Sequence, residues 1–318
     1  MLSNGLSHHP IAKIADHHGQ RVDSDQKQLG ESRYSRPRLP AVAGGAIRGF
    51  RVSFSRGLQN STMTAQHTPT STFLVAGVLF TAAASAAWSA DHRSFDHAIT
   101  SKKVVALTFD ADLTPKMLND LKTAKVASWY NQNVIATLRQ EHVPATLFLS
   151  DLWVKTYAGV TQELSNDSLF ELGNHSYSHG GFHSPCYGLA SVPESNESAE
   201  VQRTDELLTK YTTQHKKLFR FPGLCFEKDD VEKIEAQGYI VIGGDVDAGD
   251  GFQKSAMKIV SNVLAHVRPG SIVILHMQGG PNAPETANAL PEIIANLRSR
   301  GYAFVKVSDL LNLSRSKN

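Results

Sequence analysis

The chain has 318 residues, 41% of them hydrophobic and 19% charged, a balance that excludes wholly disordered and fibrous classes. Its charge is uneven: residues 1–87 carry nine Lys and Arg against four Asp and Glu, whereas the remainder carries 23 against 26. A mildly acidic body lacks the basic surface that a phosphate backbone requires, so we expect no nucleic-acid partner.

The N-terminal region precedes the predicted catalytic domain. Residues 1–62 show no sustained apolar period, which predicts a disordered or spurious extension. Residues 63–87 carry an apolar run that ends in small residues, the layout of a secretory signal peptide. No Lys or Arg lies in the first ten residues of that segment, so an uncleaved membrane anchor is the alternative. Export predicts a secreted or otherwise extracytoplasmic domain over 88–318, without stable membrane insertion.

From about residue 100, short apolar runs alternate with helical patterns. Strands are predicted over 104–110, 144–150, 169–175, 217–223, 239–247 and 270–277, with a last short strand after 302. Helical spacing covers much of 117–143, and helices are predicted over 198–212, 231–238, 257–267 and 286–301, with a short closing helix before 312. Alternation of this kind indicates parallel strands joined by helical crossovers. We therefore expect an α/β fold, a distorted (β/α) barrel of about seven parallel strands in a single domain.

Polar residues with catalytic potential lie at the ends of these strands. Because the carboxyl ends of the strands of a parallel barrel open on one face, such residues are expected to converge on one catalytic rim. They are Asp110, Asp112, His175, Arg220, the segment 245–250 and His276.

The segment "FELGNHSYSHGGF" contains two histidines four residues apart, His175 and His179. If the turn is helical, both imidazoles project from one face and can chelate one ion. The segment "TFDADLT" offers Asp110 or Asp112 as the carboxylate of a three-ligand hydrolytic site. Alternatively, the two histidines could be ordinary polar residues at the solvated start of a helix. The acidic residues at the end of another strand favour a metal site instead.

Five motifs, "TFDAD", "HSYSH", "RFPG", "DVDAGD" and "ILHM", follow one another in the chain. In order and spacing they resemble the motifs of the polysaccharide deacetylases, carbohydrate esterase family four, with the nodulation-type chitooligosaccharide deacetylase homology domain. The resemblance spans about 103–312. It implies a hydrolase of non-peptide carbon–nitrogen bonds that removes N-acetyl groups from a glycan by means of a divalent metal. Two histidines and one aspartate with open positions favour Zn²⁺.

The resemblance also implies a role for each motif residue. Asp110 corresponds to the catalytic base and Arg220 to the residue that holds it. Asp250 corresponds to the residue that orients Arg220, and His276 to the general acid.

The remaining roles concern the metal and the acyl group. Asp112, His175 and His179 correspond to the metal ligands. Gly223 lies where a backbone N–H would hold the oxyanion, and Leu275 where the pocket would receive the acetyl methyl.

The chain departs from the family pattern at three places. The family has two adjacent aspartates, base and then ligand, whereas Ala111 separates Asp110 from Asp112 here. We assign the ligand role to Asp112, although the two carboxylates could exchange roles. Gly251 and Gly223 replace an expected tryptophan and an expected aromatic residue, which predicts a more open cleft.

Two further pairs leave alternatives open. Trp129 and Tyr130 could form an aromatic wall for sugar rings or pack in the core. Cys186 and Cys225 could form a bridge or remain two thiols.

Two other functions compete with deacetylation of a glycan. The site could hydrolyse an O-acetyl ester or a non-sugar amide, or the domain could be a non-catalytic carbohydrate-binding relic. A serine esterase finds no support, because the sequence has no G-x-S-x-G motif.

Overall fold

The computed structural model describes residues 94–212 and 216–315. The predictions for the extension over 1–62 and the signal peptide over 63–87 lie outside these residues. None of the helices in the described ranges has both the length and the apolar character needed to cross a bilayer.

The described residues form eight strands and nine α-helices. In chain order the strands are β1 (Val104–Ala111), β2 (Ala145–Leu149), β3 (Phe170–Asn174), β4 (Leu218–Phe219), β5 (Ile240–Val241), β6 (Val246–Asp247), β7 (Ile272–His276) and β8 (Ala303–Phe304). The helices are α1 (Pro115–Lys122), α2 (Gln132–Gln140), α3 (Asp151–Thr156), α4 (Ala158–Asn166), α5 (Glu197–Leu208), α6 (Lys228–Glu235), α7 (Ala256–His266), α8 (Thr286–Ser299) and α9 (Val307–Arg315).

The strands form one parallel sheet in the order β5-β4-β3-β2-β1-β7-β6, and β8 pairs with the start of β1. The expected distorted barrel is confirmed, since seven parallel strands curl into a half-barrel surrounded by helices. The central strand β1 places Asp110 beside Phe148 of β2 and His276 of β7. The carboxyl ends of these strands therefore meet where the sequence places its polar residues.

Side chains of β1 alternate between the two faces of the sheet. Leu107, Phe109 and Ala111 belong to the main hydrophobic cluster, which packs the sheet against its helices. Thr108 and Asp110, the residues between them, both bind Arg220 on the other face. Because side chains in a strand have a period of two, this register aims every second residue from 108 into the barrel.

Helical spacing is predicted over much of 117–143, and the structure divides this stretch into two helices, α1 and α2. Helix α1 ends at Lys122, and Ala124 adopts a left-handed backbone with φ of +54°. Asn131 then caps the N-terminus of α2, its side-chain oxygen accepting a hydrogen bond from the backbone N–H of Asn133. The intervening residues carry Trp129, which is buried and donates its indole N–H to the carbonyl of Met117. Core packing, not a sugar-facing wall, is therefore the role of Trp129.

The strand predicted over 239–247 divides into β5 and β6. Gly243 and Gly244 separate them, and a Cβ on Gly244 would lie 2.6 Å from the side chain of Ile274. Helices α3 and α4 were not predicted from the sequence.

Candidate metal centre and catalytic cleft

Two carboxylates of the first motif reach the cleft from the end of β1. Asp110 Oδ1 lies 2.7 Å from Arg220 Nη1, and its Oδ2 lies 3.7 Å from His175 Nε2. Asp112 Oδ1 lies 3.1 Å from His179 Nε2 and 3.5 Å from His175 Nε2. Strand alternation explains why both aspartates face the cleft while Ala111 packs in the core.

The turn that carries His175 and His179 is not helical, contrary to the geometry expected for chelation at helical spacing. Ser176 and His179 adopt left-handed backbone with φ of +67° and +53°. The side chain of Asn174 accepts a hydrogen bond from the backbone of Ser176, a local bond that folds the chain back at the end of β3. The turn brings the two imidazole rings within 4.9 Å of one another.

Ligand atoms of Asp112, His175 and His179 all lie within 4.8 Å of one another, so this group could hold a metal ion. His175 Nδ1 lies 2.9 Å from the carbonyl oxygen of Arg220. A carbonyl can only accept, so Nδ1 carries the proton, and Nε2 of a neutral ring presents its lone pair to the carboxylate of Asp112.

The polar atoms of this group support the same interpretation. Asp112 Oδ1 is buried, and no hydrogen bond of suitable geometry reaches it from the described residues. Burial raises the pKa of Asp112, but the charge of the neighbouring imidazoles, His179 first, outweighs burial and holds the pKa well below its usual range. An ionised carboxylate beside two imidazoles, which give up their Nε2 protons when a metal binds, is a donor set that fits a divalent cation.

Arg220 is fully buried beside the metal group and is held from several sides. Its Nη1 donates to Asp110 Oδ1 at 2.7 Å and to Thr108 Oγ1 at 2.8 Å. Its Nη2 donates to the carbonyl of Gly243 at 2.8 Å, and its guanidinium lies 4.1 Å from the centre of the Phe148 ring. Four independent contacts fix the charge that neutralises the Asp110 carboxylate.

Asp250 was expected to orient Arg220, and this prediction is wrong. Among the described residues Asp250 makes no hydrogen bond to Arg220; it binds His276 instead. Asp250 Oδ1 lies 2.8 Å from His276 Nδ1, and Oδ2 accepts from the His276 backbone at 2.8 Å. Thr286 donates its hydroxyl to the same Oδ2 at 2.6 Å. Asp250 follows β6, which pairs with β7. Because His276 is the last residue of β7, the two side chains lie close enough to bind.

The pairing sets the protonation of His276. Burial lowers its pKa, but the Asp250 carboxylate outweighs burial, and the more distant Asp112 and Asp110 add to it, so that the pKa is raised to about 10. Nε2, the nitrogen that Asp250 does not bind, lies 3.9 Å from Asp112 Oδ2 and faces the cleft. His276 is therefore a proton donor aimed at the metal group.

Leu275 does not line the cleft, contrary to its expected contact with the acetyl methyl. Its side chain is fully buried in the main hydrophobic cluster, on the helix side of β7. Ile274 and His276, its neighbours in the strand, line the cleft instead. The period of two along β7 makes Ile274, not Leu275, the apolar residue of this strand that faces the cleft.

The predicted oxyanion residue, Gly223, lies in the cleft and has φ of +61°. Two cysteines close to Gly223 in space, Cys186 and Cys225, form a disulfide with their Cα atoms 5.8 Å apart. A Cβ on Gly223 would lie 2.9 Å from Cys186 Sγ, so both the backbone and the close contact require glycine.

The cleft is a cavity of about 400 Å³ that contains both aspartates, both metal-site histidines and His276. A larger cavity of about 550 Å³ lies beside the amino end of β3, around Glu171 and Lys216, but contains no histidine. The chemistry therefore belongs to the smaller cavity.

Comparison with known proteins agrees with this geometry. Residues 97–242 match the polysaccharide deacetylase family model. The chain therefore contains a polysaccharide deacetylase domain over residues 97–242. A peptidoglycan-N-acetylglucosamine deacetylase of Bacillus cereus is 27% identical over 221 residues, covering 68% of this chain and 71% of that protein. A chitooligosaccharide deacetylase of Bradyrhizobium sp. is 27% identical over 222 residues, covering 64% of this chain and 89% of that protein.

Solved structures extend the likeness of this domain to its fold. The Bc1960 peptidoglycan N-acetylglucosamine deacetylase superposes with a TM-score of 0.57 at 25% identity, over 68% of this chain and 91% of that one. BA3943 of Bacillus anthracis, described as a pseudoenzyme of carbohydrate esterase family four, superposes with a TM-score of 0.55 at 25% identity, over 69% of each chain. Membership of the fold alone therefore does not establish activity, and the site residues must carry that argument.

Several residues of the deacetylase cleft were missed in the sequence. Gln278, fully buried, donates from Nε2 to the backbone carbonyl of Asp112 at 2.9 Å. Its position two residues after His276 was the available signal, since alternate residues share a face. Thr286 gave no local signal, because it lies 36 residues from Asp250 in sequence. Tyr187 and Phe252 also line the cleft and were not predicted.

Proposed function

We propose that the chain is an extracytoplasmic, divalent-metal-dependent hydrolase that removes N-acetyl groups from an N-acetylglucosamine-containing glycan. The observation that carries the proposal is a convergence in one cavity. Asp112, His175 and His179 form a donor set for a cation, with Asp110 close to His175 and His276 close to Asp112.

When bound, a divalent cation, Zn²⁺ in our proposal, acts as a Lewis acid that polarises an acyl oxygen and makes water more acidic. Asp112, His175 and His179 would hold this ion. The cysteine-free donor set of two imidazoles and one carboxylate is the one expected for a catalytic zinc site.

Asp110 supplies the base. Its Oδ1 is occupied by Arg220 Nη1, so Oδ2, near His175 Nε2, is the oxygen available to take a proton from the attacking water. Arg220 keeps this carboxylate in place through the hydrogen bond from Nη1.

His276 supplies the acid. As the carbon–nitrogen bond breaks, the departing amine nitrogen takes the proton from His276 Nε2, and acetate is the second product. Asp250 holds Nδ1 and thereby stabilises the protonated ring. Gly223 lines the cleft, where its backbone N–H would bind the oxyanion.

Two observations support an extracytoplasmic site of action. The disulfide between Cys186 and Cys225 is of a kind that persists in oxidising compartments. The relatives named above act, by their names, on peptidoglycan and chitooligosaccharides.

The proposed function is tested by measuring metal content and acetate release on the same samples. Elemental mass spectrometry of the wild type should find about one zinc per chain after reconstitution. His175→Ala and Asp112→Ala should lose the metal and the release of acetate from chitooligosaccharides. Asp110→Asn should keep the metal and lose activity. Asp247→Ala, which removes a nearby carboxylate outside the donor set, is the matched control.

Other outcomes would redirect the proposal. Metal retained in Asp112→Ala and lost in Asp110→Ala would exchange the two roles. Acetate released from O-acetylated xylan, with none from chitooligosaccharides, would make the enzyme an esterase. A wild type that holds no metal and releases no acetate would support the carbohydrate-binding relic.

A further inference from the structure

Two aromatic side chains stand exposed at the catalytic cleft. Tyr187 is 73% exposed and Phe252 is 72% exposed, and both line the cavity that holds the metal group. Their ring centres are 5.5 Å apart with the planes inclined at 42°, so the two rings are in contact. We call these two residues the aromatic pair.

The fold does not need the aromatic pair for its core. Neither residue belongs to any hydrophobic cluster of the described residues. Tyr187 also has φ of +45°, a strained conformation for a bulky residue. Exposed aromatic area and backbone strain both oppose folding, and residues that keep both are found preferentially at functional sites.

Exposed apolar side chains are concentrated at this cavity. Five large hydrophobic residues are exposed in the described part of the chain, and three of them line the cleft: Tyr187, Leu224 and Phe252. The other two, Ile99 and Met257, do not line it. An apolar surface beside a polar reaction centre indicates a ligand with both characters.

The aromatic pair lies between the proposed oxyanion residue and the proposed acid. A Cβ on Gly223 would lie 3.3 Å from Tyr187 Cδ2, so the tyrosine ring covers Gly223. Phe252 directly follows Gly251, where a Cβ would lie 3.5 Å from His276 Cε1. The pair therefore flanks the place where the amine departs.

The position of the pair identifies its ligand once the proposed function is accepted. His276 protonates the departing nitrogen, and in an N-acetylated sugar that nitrogen is bonded directly to a ring carbon. The pyranose ring must therefore lie beside His276, next to the aromatic pair. The C–H bonds on one face of such a ring form an apolar surface that packs against aromatic faces.

We propose that the aromatic pair, Tyr187 and Phe252, binds the pyranose ring that carries the acetamido group. This inference rests on the proposed function and names the residues that select a sugar over other acyl compounds. The disulfide at Cys186, next to Tyr187, ties this residue to the segment of Gly223. The tie keeps one ring in place without a hydrophobic core beneath it.

The test compares two substrates in the metal-loaded protein. One is a chitooligosaccharide, and the other is an aryl acetate, which has a scissile acetyl group but no pyranose ring. Tyr187→Ala and Phe252→Ala should each raise KM for the chitooligosaccharide about ten-fold with little change in kcat. The kinetics of the aryl acetate should stay as in the wild type. Tyr187→Phe and Phe252→Tyr, which keep an aromatic ring at each position, should keep the low KM of the wild type.

Met257→Ala is the matched control, because Met257 is as exposed as Phe252 but lies outside the cleft. It should leave KM for both substrates unchanged. Thermal unfolding should show that neither alanine variant of the pair is less stable than this control, since the pair contributes little to the core.

The results that would overturn the inference are distinct from failure of the proposed function. Equal losses on both substrates, or an unchanged KM for the chitooligosaccharide, would show that the pair does not bind the sugar ring. A wild type that hydrolyses neither substrate would contradict the proposed function alone. Calorimetric binding of the chitooligosaccharide would then decide: affinity lost in both alanine variants supports the pair, and affinity unchanged or undetectable in the wild type overturns it.

Discussion

His276 Nδ1 lies 2.8 Å from Asp250 Oδ1, and the other oxygen of Asp250 accepts from the His276 backbone and from Thr286. One carboxylate thus binds both the ring and the main chain of the proposed acid. This arrangement fixes the ring orientation and leaves Nε2 toward the cleft. The site thus contains two charge pairs, one that holds the proposed acid, His276 with Asp250, and one that holds the proposed base, Asp110 with Arg220.

The first prediction concerns the protonation of His276. In metal-free protein, Asp250→Asn should lower the His276 pKa from about 10, because the carboxylate that raises it is removed. An NMR titration of the imidazole measures this, with the exposed Asp229→Asn as control. A pKa unchanged in Asp250→Asn would contradict the assigned cause.

The same pKa predicts how stability depends on pH. A folded-state pKa above the unfolded value of about 6.5 means that the protonated ring stabilises the fold. This contribution is complete below about pH 6.5 and is lost as pH rises toward 10. Urea denaturation of the metal-free protein between these values should show a larger fall for wild type than for His276→Gln. If the free energy of unfolding fell equally with pH in both proteins, the raised pKa of His276 would be contradicted.

The second prediction concerns Arg220. Arg220→Met removes the cation that pairs with buried Asp110, so the free energy of unfolding should fall by about 3–5 kcal/mol. Urea denaturation measures the loss. The double variant Arg220→Met with Asp110→Leu should recover part of it, because no unpaired charge then remains buried. If the double variant lost as much free energy of unfolding as the two single variants together, the loss would not come from an unpaired buried charge.

Much of the site could be predicted from sequence because its residues lie at strand ends. A buried apolar run that stops at a polar residue indicates both the strand and the cleft, as with 104–110 and Asp110. The partner of Asp250 could not be predicted, since packing of the segments after β6 and β7 decides it. The side of the sheet on which Leu275 lies could not be predicted either, because four consecutive apolar residues in β7 show no alternation.

The third prediction follows from the outward face of Leu275. Leu275→Ala should lower the free energy of unfolding by about 2–5 kcal/mol through a cavity in the core. KM and kcat of the folded variant should stay close to wild type, because the side chain does not touch the cleft. Denaturation and kinetics on one preparation test both parts. A rise in KM without loss of stability would return Leu275 to the acyl pocket.

The fourth prediction concerns Gln278, which holds the backbone of Asp112. Gln278→Met keeps the side-chain length and removes the hydrogen bond to the Asp112 carbonyl. Because partners that orient ligands typically contribute 10–100-fold to metal affinity, we expect zinc to bind roughly ten-fold more weakly. Competition with a chromogenic chelator measures the affinity. Gln162→Met, a change on the exposed surface of α4, is the control and should bind zinc like wild type. An unchanged affinity in Gln278→Met would limit Gln278 to packing.

The fifth prediction separates the two consequences of the disulfide. The bridge joins residues 39 apart, and closing a loop of this length is expected to stabilise the fold by roughly 2–4 kcal/mol. The double variant Cys186→Ala, Cys225→Ala should therefore unfold at lower denaturant concentration than wild type. It should also raise KM for a chitooligosaccharide more than KM for an aryl acetate, because Tyr187 loses its tie to the Gly223 segment. Reduced wild type should behave like the double variant, whereas the double variant should not respond to a reductant. Lower stability with an unchanged ratio of the two KM values would show that the bridge supports the fold without positioning Tyr187.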